Sequence, residues 1–214
     1  MAVDTLYFSR DTKVYIKIGS AIWEVPVLDG FSFSQATNST EVTLAEMEDT
    51  SGNSKRGRAL FNDSLAPVEW SFSTYMRPFK SAGSGTGKAD DTANNHHAVE
   101  EVLWALMVGP ATYSAYSFTG FTADTSDLDI AFGSSNKATL GTADIFFVLG
   151  HGKSNPQVYK CASAVVNEAS LDFDIDGLAT INWSGFASTL TSDSAPTATV
   201  TEDITATDNF IRNR

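Results

Sequence analysis

Three aspartates at alternate positions, Asp172, Asp174 and Asp176, lie in the run DFDIDG and match the opening of a calcium-binding loop of the EF-hand type. Such a loop needs a bidentate Glu at its twelfth position to close the oxygen cage. Here that position is Trp183, and the flanks alternate like strands instead of repeating with a helical period. The run AGSGTGKA, residues 82 to 89, carries the Gly87 and Lys88 of a phosphate-binding loop. Ala89 stands where a hydroxyl must hold magnesium, Ala82 where the first glycine belongs, and no buried parallel strand precedes it, so it reads as a flexible linker. His96, His97 and His151 are the only histidines, and the first two are adjacent, so on a helix they diverge instead of converging on one ion. Asp172 and Asp174 share one strand face, roughly 6 to 7 Å apart along the backbone. That spacing could serve paired-carboxylate chemistry, but nothing in the sequence supplies a sugar-binding groove. With no Gly-x-Ser-x-Gly elbow and no Ser, His and Asp set, the sequence predicts no catalytic residue, no cofactor and no metal site.

Composition narrows the choice further. Cys161 is the only cysteine, which rules out an intrachain disulfide, a thiolate cage or a redox pair and leaves a buried, inert thiol. Acidic residues outnumber basic ones 26 to 14, and a net charge of -12 argues against a protein that grips a phosphate backbone. With 42% hydrophobic residues and 14 Phe the chain has the apolar content of a folded domain, not of a disordered one. Its strongest apolar run, 145 to 149, is too short to span a membrane, and MAVDTLYFSR lacks the pattern of a signal peptide. The expectation is a protein used without secretion or membrane insertion: one β-domain over 1–190 and an extended segment over 191–214.

The elements that must position these residues are mostly strands. In TKVYIKIGSAIWEVPV, residues 12 to 27, Gly19 and Ser20 fit a two-residue hairpin turn. Pairing about it sets Val14 opposite Val25, Ile16 opposite Trp23 and Ile18 opposite Ala21, giving one apolar face. The other face carries Tyr15, Lys17 and Glu24, with Ile22 out of pattern. VLDGFSFSQAT and PVEWSFSTYMRPF, residues 67 to 79, alternate apolar and polar positions and predict two half-buried strands. Between them, from 38 to about 65, β-pattern is weak and charge is segregated: Glu41, Glu46, Glu48 and Asp49, then Lys55, Arg56 and Arg58. This predicts a long charged loop, an arm suited to docking on another copy of the chain.

HHAVEEVLWALMVGP predicts the one helix, about residues 96 to 108, with Asn94 or Asn95 as its cap. Val99, Val102, Leu103, Leu106 and Met107 form its apolar stripe, and Gly109 and Pro110 end it. Strands are also expected near 113–121, 127–132, 143–149 and 156–166.

The segment NEASLDFDIDGLATINWSGF, residues 167 to 186, discriminates between two registers. A two-residue turn at Asp176 and Gly177 mixes polar and apolar on both faces. A three-residue loop over 175–177, with Gly177 in the left-handed position, pairs Phe173 with Ala179, Leu171 with Ile181 and Ala169 with Trp183. One face is then wholly apolar, and the other shows Ser170, Asp172, Asp174, Thr180, Asn182 and Ser184, with Leu178 as the exception. After Leu190 the apolar density falls, and Phe210 and Ile211 suggest docking or a longer parent chain.

The strand VLDGFSFSQAT, the arm EVTLAEMEDTSGNSKRGRALFN, the strand PVEWSFSTYMRPF, the helix VEEVLWALMVG and the hairpin VVNEASLDFDIDGLATINWSGF, taken in that order, resemble the tail tube proteins of long-tailed bacteriophages over roughly residues 20 to 190. The terminal ATDNFIRNR looks like the start of a further segment of longer relatives. The resemblance implies a mainly β fold, a two-sheet antiparallel β-sandwich or barrel with one flanking helix, assembled in a virion as stacked hexameric rings. It implies partners of the same chain, then sheath, baseplate and tail terminator proteins, with assembly in the host cytoplasm and DNA passing through without specific binding. On this view Ser170, Asp172, Asp174, Thr180 and Asn182 face the lumen, and the charged arm makes subunit or ring contacts. The rivals are another assembly protein, such as a fibre, baseplate, decoration or secretion-tube component, and a carbohydrate-binding or hydrolytic β-sandwich.

Overall fold

The computed structural model describes residues 7, 9–43, 51, 58–80, 96–108, 113–114, 117–118, 121–123, 128–130, 141–173 and 177–200, with backbone alone at 9, 41–43, 58–63, 79–80, 96–97 and 113–130. Strands β1 (Lys13–Ile18) and β2 (Ala21–Val25) form the hairpin that the sequence predicts, with Val14 opposite Val25, Ile16 opposite Trp23 and Ile18 opposite Ala21. Gly19 takes a φ of 59°, the left-handed region its turn requires. Next come β3 (Ser32–Ser34), β4 (Thr37–Thr43), β5 (Arg58–Leu65), β6 (Val68–Tyr75), β7 (Pro78–Lys80), β8 (His96–Ala98) and helix α1 (Glu101–Val108). Four short strands, β9 (Tyr113–Ser114), β10 (Ser117–Phe118), β11 (Phe121–Ala123) and β12 (Leu128–Ile130), make a small antiparallel sheet. The chain closes with β13 (Ala143–Leu149), β14 (Gln157–Asp172), β15 (Thr180–Ala187) and β16 (Thr189–Ser192).

The main sheet has eight strands in the order β2-β1-β13-β14-β15-β6-β3, with β16 also on β14. β14 is 16 residues long and belongs to two halves of that sheet. Its first half lies between β13 and β16, and its second half, from Val165 on, pairs with β15. Bulges next to Ser163 and Asn167 bend it between the halves. Ser163 takes a φ of 51°, and its N–H donates to Asp144 Oδ1 at 3.1 Å. The two halves pack face to face as a sandwich. Phe33 and Phe31 lie 4.7 and 5.6 Å from the ring of Phe147, Phe72 meets it edge-on at 6.4 Å, and Phe33 meets Tyr159 at 5.1 Å.

The strand expected near 113–121 is divided into β9, β10 and the start of β11, which pair antiparallel with one another, and three further predicted features differ. The helix begins at Glu101, because His96–Ala98 pairs instead with Pro78–Lys80 and a distant backbone partner overrides the local helical pattern. The cap expected at Asn94 or Asn95 lies outside the described residues. Glu100 stands at the helix start, its carbonyl accepting the N–H of Leu103 at 2.9 Å. Second, the predicted loop over 38–65 contains a two-stranded ribbon, β4 with β5, paired from Thr37 and Leu65 to Thr43 and Arg58 with a bulge between Asn38 and Ser39. Third, the second face of the first hairpin is not a solvent face. Tyr15 is buried there with Phe146, Val148 and Val158, against Ile22 and Ala198. Burial pushes the Tyr15 phenol up to about 12, with the Glu24 carboxylate adding to the effect. The segment after β16 runs back across the sheet to β2, where Thr199 and Val200 both donate to the Ile22 carbonyl and Val200 bridges Trp23 in parallel.

α1 is buried on nearly every side, and Trp104 meets Trp183 edge-on at 5.0 Å. Burial pushes the Glu100 carboxyl up to about 7, against hydrogen bonds from backbone N–H groups and the Trp104 indole. Cys161 is fully buried, its thiol raised to about 11 by desolvation.

Candidate functional site

The half-sheet β3-β6-β15-β14 turns two different faces to its surroundings because each strand alternates cleanly. Val68, Trp70, Phe72 and Thr74 of β6 and Ile181, Trp183, Gly185 and Ala187 of β15 point into the core. Trp183 donates its indole N–H to Thr74 Oγ1 at 2.9 Å, so the buried hydroxyl is satisfied. Trp70 lies over Gly185, where a Cβ would meet the Val165 carbonyl and the Trp70 ring.

The opposite face is mostly polar, with Phe186, 43% exposed, and Val165 as its apolar members, and the strand registers set it out in cross-strand rows. One row runs Ser34, Glu69, Phe186, Val165; the next Ser32, Ser71, Ser184, Glu168. Two shorter rows follow, Ser73, Asn182, Ser170 and then Tyr75, Thr180, Asp172. Successive rows stand roughly 6 to 7 Å apart, at about 3.3 Å per residue. Side chains knit neighbouring strands together: Ser32 and Ser71 hydroxyls are 2.8 Å apart, Ser73 donates to Asn182 Oδ1 at 2.6 Å, and Asn182 Nδ2 donates to Asp172 Oδ2 at 3.1 Å. Asn182 thus has one orientation, amide nitrogen toward the carboxylate and oxygen toward the hydroxyl.

Three carboxylates, Glu69, Glu168 and Asp172, occupy this face, and no Lys, Arg or His occurs anywhere in β3, β6, β15 or residues 165–172. The surface can repel anions and hydrogen-bond water, but it offers no cation to hold a phosphate.

Four of the five residues predicted for the lumen, Ser170, Asp172, Thr180 and Asn182, come together here; Asp174 lies outside the described residues. The register chosen from the sequence holds, with Leu171 opposite Ile181 and Ala169 opposite Trp183. The apolar side of that hairpin is not fully covered, however: Leu171 is 40% and Phe173 57% exposed. Sequence reasoning missed Ser32, Ser34, Glu69, Ser71, Ser73 and Glu168. Their alternation was readable, but the neighbour order of the strands was not. Of the arm residues, Glu41 lies in β4 and Arg58 in β5, while Glu46, Glu48, Asp49, Lys55 and Arg56 fall outside the described residues.

No protein-family model matches the chain. Over 187 residues it aligns at 26% identity with tail tube protein pb6 of Escherichia phage T5, covering 85% of this chain and 37% of that protein. This chain is a sequence relative of a phage tail tube protein. The resemblance read from the order of its segments is borne out, and the chain spans 37% of the relative's length. Among solved structures, the chain resembles the sheath/tube terminator of the extracellular contractile injection system PVC at 12% identity and a TM-score of 0.49, over 90% of this chain and 100% of that one. It also resembles the SPP1 tail tube at 11% identity and a TM-score of 0.42, over 89% and 80%. At those scores the likeness is one of outline, and the fold described above rests on the strand registers.

Proposed function

We propose that this chain is a structural subunit of a phage tail tube, built into hexameric rings that stack around a bore through which DNA passes. The observation that carries this reading is the mostly polar outer face of β3, β6, β15 and residues 165–172 of β14, with three carboxylates and no basic residue in those segments. Turned inward, it gives a wall on which phosphates find repulsion and no anchoring charge, so DNA slides past without specific binding. Ser170, Asp172, Asp174, Thr180 and Asn182 then face the lumen. The protein works as a conduit, with no chemical step of its own.

The same half-sheet has what lateral closure needs. β15 and β16 run along one edge of β14, and β13 lies on its other edge only as far as Ala164. From Val165 to Asp172, that second edge carries no partner strand among the described residues. An open edge with a polar face and an oily face is completed by a strand of the same kind from a neighbouring copy, which would also cover Leu171 and Phe173. The β4–β5 ribbon, which carries Glu41 and Arg58, together with Glu46, Glu48, Asp49, Lys55 and Arg56 that lie between its two strands in sequence, is the natural contact to the next subunit or ring, since a two-stranded ribbon alone is marginal in water. Sheath, baseplate and terminator proteins are the expected further partners in a virion assembled in the host cytoplasm.

Negative-stain microscopy of the purified protein tests the reading. Six-fold rings or striated hollow tubes are expected; a protein that stays monomeric or trimeric at all concentrations and salt conditions contradicts it.

A further inference from the structure

The β4–β5 ribbon joins the rest of the molecule through two short links, residues 35–36 and 66–67, and one side chain bridges both links and the sheet beneath. Gln35 Nε2 donates to the Ala66 carbonyl at 2.9 Å and, at 3.4 Å, to the Ser188 carbonyl, while its Oε1 accepts the Leu190 N–H at 3.1 Å. Beside it the Ala66 N–H donates to the Ala36 carbonyl at 2.9 Å, closing the base of the ribbon. The body side of this contact is itself fixed. Ser188 is the bend between β15 and β16, and its N–H and hydroxyl donate to the Ala162 carbonyl of β14 at 2.9 and 2.8 Å. Two carbonyls opposite the amide nitrogen and one N–H opposite the amide oxygen admit a single orientation, because the reverse sets oxygen against oxygen.

We propose that Gln35 is a positioning residue whose side-chain amide holds the angle at which the β4–β5 ribbon leaves the body, so that the ribbon is presented already aimed at a neighbouring copy of this chain. The ribbon has seven residues in β4, so at about 3.3 Å per residue it reaches roughly 20 Å, and a small rotation at its base moves its far end by several ångströms. A ribbon fixed beforehand loses less conformational freedom on docking than one that swings on two free links. The clause about a neighbouring copy rests on the tail-tube reading; the clamp does not.

The test uses the full chain with Ser39→Cys on the ribbon and Ser154→Cys on the body, both exposed, spin-labelled while the buried Cys161 stays unreacted. With Gln35 in place, electron–electron distance measurement gives one narrow distribution. Gln35→Glu keeps the size but sets a carboxylate against two carbonyls, and Gln35→Met keeps the length with neither donor nor acceptor. Loss of the narrow distribution in both, with the unfolding midpoint of the body close to the parent's, is the expected result. A distribution that stays narrow in both variants, or is already broad with Gln35, overturns the proposal. If the Glu variant does not fold, the Met variant decides alone. A clamp that behaves as expected in a chain that never polymerises upholds the positioning role and overturns only its neighbouring-copy clause.

Discussion

Replacing Glu100 by Gln should change how stability depends on pH, and the structure fixes both sign and size. The carboxyl sits at the start of α1, 1% exposed, with Oε2 accepting the Arg77 N–H at 3.4 Å. Desolvation is the largest effect on it and raises its pKa from 4.5 to about 7. A folded-state value above the unfolded one means that folding favours the neutral acid. The stabilisation is fully present below 4.5, is lost as pH rises toward 7, and is gone above that. At about 1.4 kcal/mol per pH unit, the interval amounts to about 3 kcal/mol. Gln is neutral throughout, so the stability difference between variant and wild type should move by about 3 kcal/mol in favour of the variant from pH 4.5 to pH 8. The buried amide can add a constant offset, and for that reason the slope is the measurement. Urea unfolding of both proteins at pH 4.5, 6, 7 and 8 reads it. A difference that is flat with pH, or that moves against Gln as pH rises, refutes the reasoning.

Gly185→Ala should destabilise by more than about 2 kcal/mol, since its Cβ has no room between the Val165 carbonyl and the Trp70 ring. Thermal unfolding checks this. Trp183→Phe removes the indole donor, leaves the Thr74 hydroxyl buried without its partner and weakens the contact with Trp104, at a cost of about 2 to 3 kcal/mol by denaturant titration. The double variant Ser170→Lys with Asp172→Lys puts cations on a face that has none. It should leave the monomer's melting temperature nearly unchanged and give the assembled protein a salt-dependent affinity for duplex DNA that the wild type lacks. Fluorescence anisotropy at two ionic strengths measures it.

What could be read from the sequence was whatever the side-chain period and a glycine turn jointly determine. Gly19 and the flanking Val, Ile and Trp positions gave the register of β1 and β2, because any one-residue slip moves an apolar set to the wrong face. The same logic selected the pairing of Leu171 with Ile181. Features set by distant partners were hidden. Tyr15 reads as a solvent-facing residue until the segment near Ala198 is known to lie against it. His96–Ala98 reads as the first turn of a helix until Pro78–Lys80 is beside it. The positions of β4 and β5 whose side chains are described, 37–40, 64 and 65, are all exposed and impose no alternating pattern, so the ribbon looked like a loop. The polar face was half legible, since the β14–β15 hairpin is local, whereas the place of β3 and β6 beside it depends on strand order.

The central claim is the direction in which the polar face of β3-β6-β15-β14 looks once copies assemble. A helical reconstruction of the polymer, resolving strands and side chains, measures that directly. The account predicts Glu69, Glu168, Ser170, Asp172 and Asn182 on the wall of an open channel, with β14 of one copy beside a strand of the next. Those side chains on the outer surface, or a channel wall lined by Lys and Arg, would contradict it.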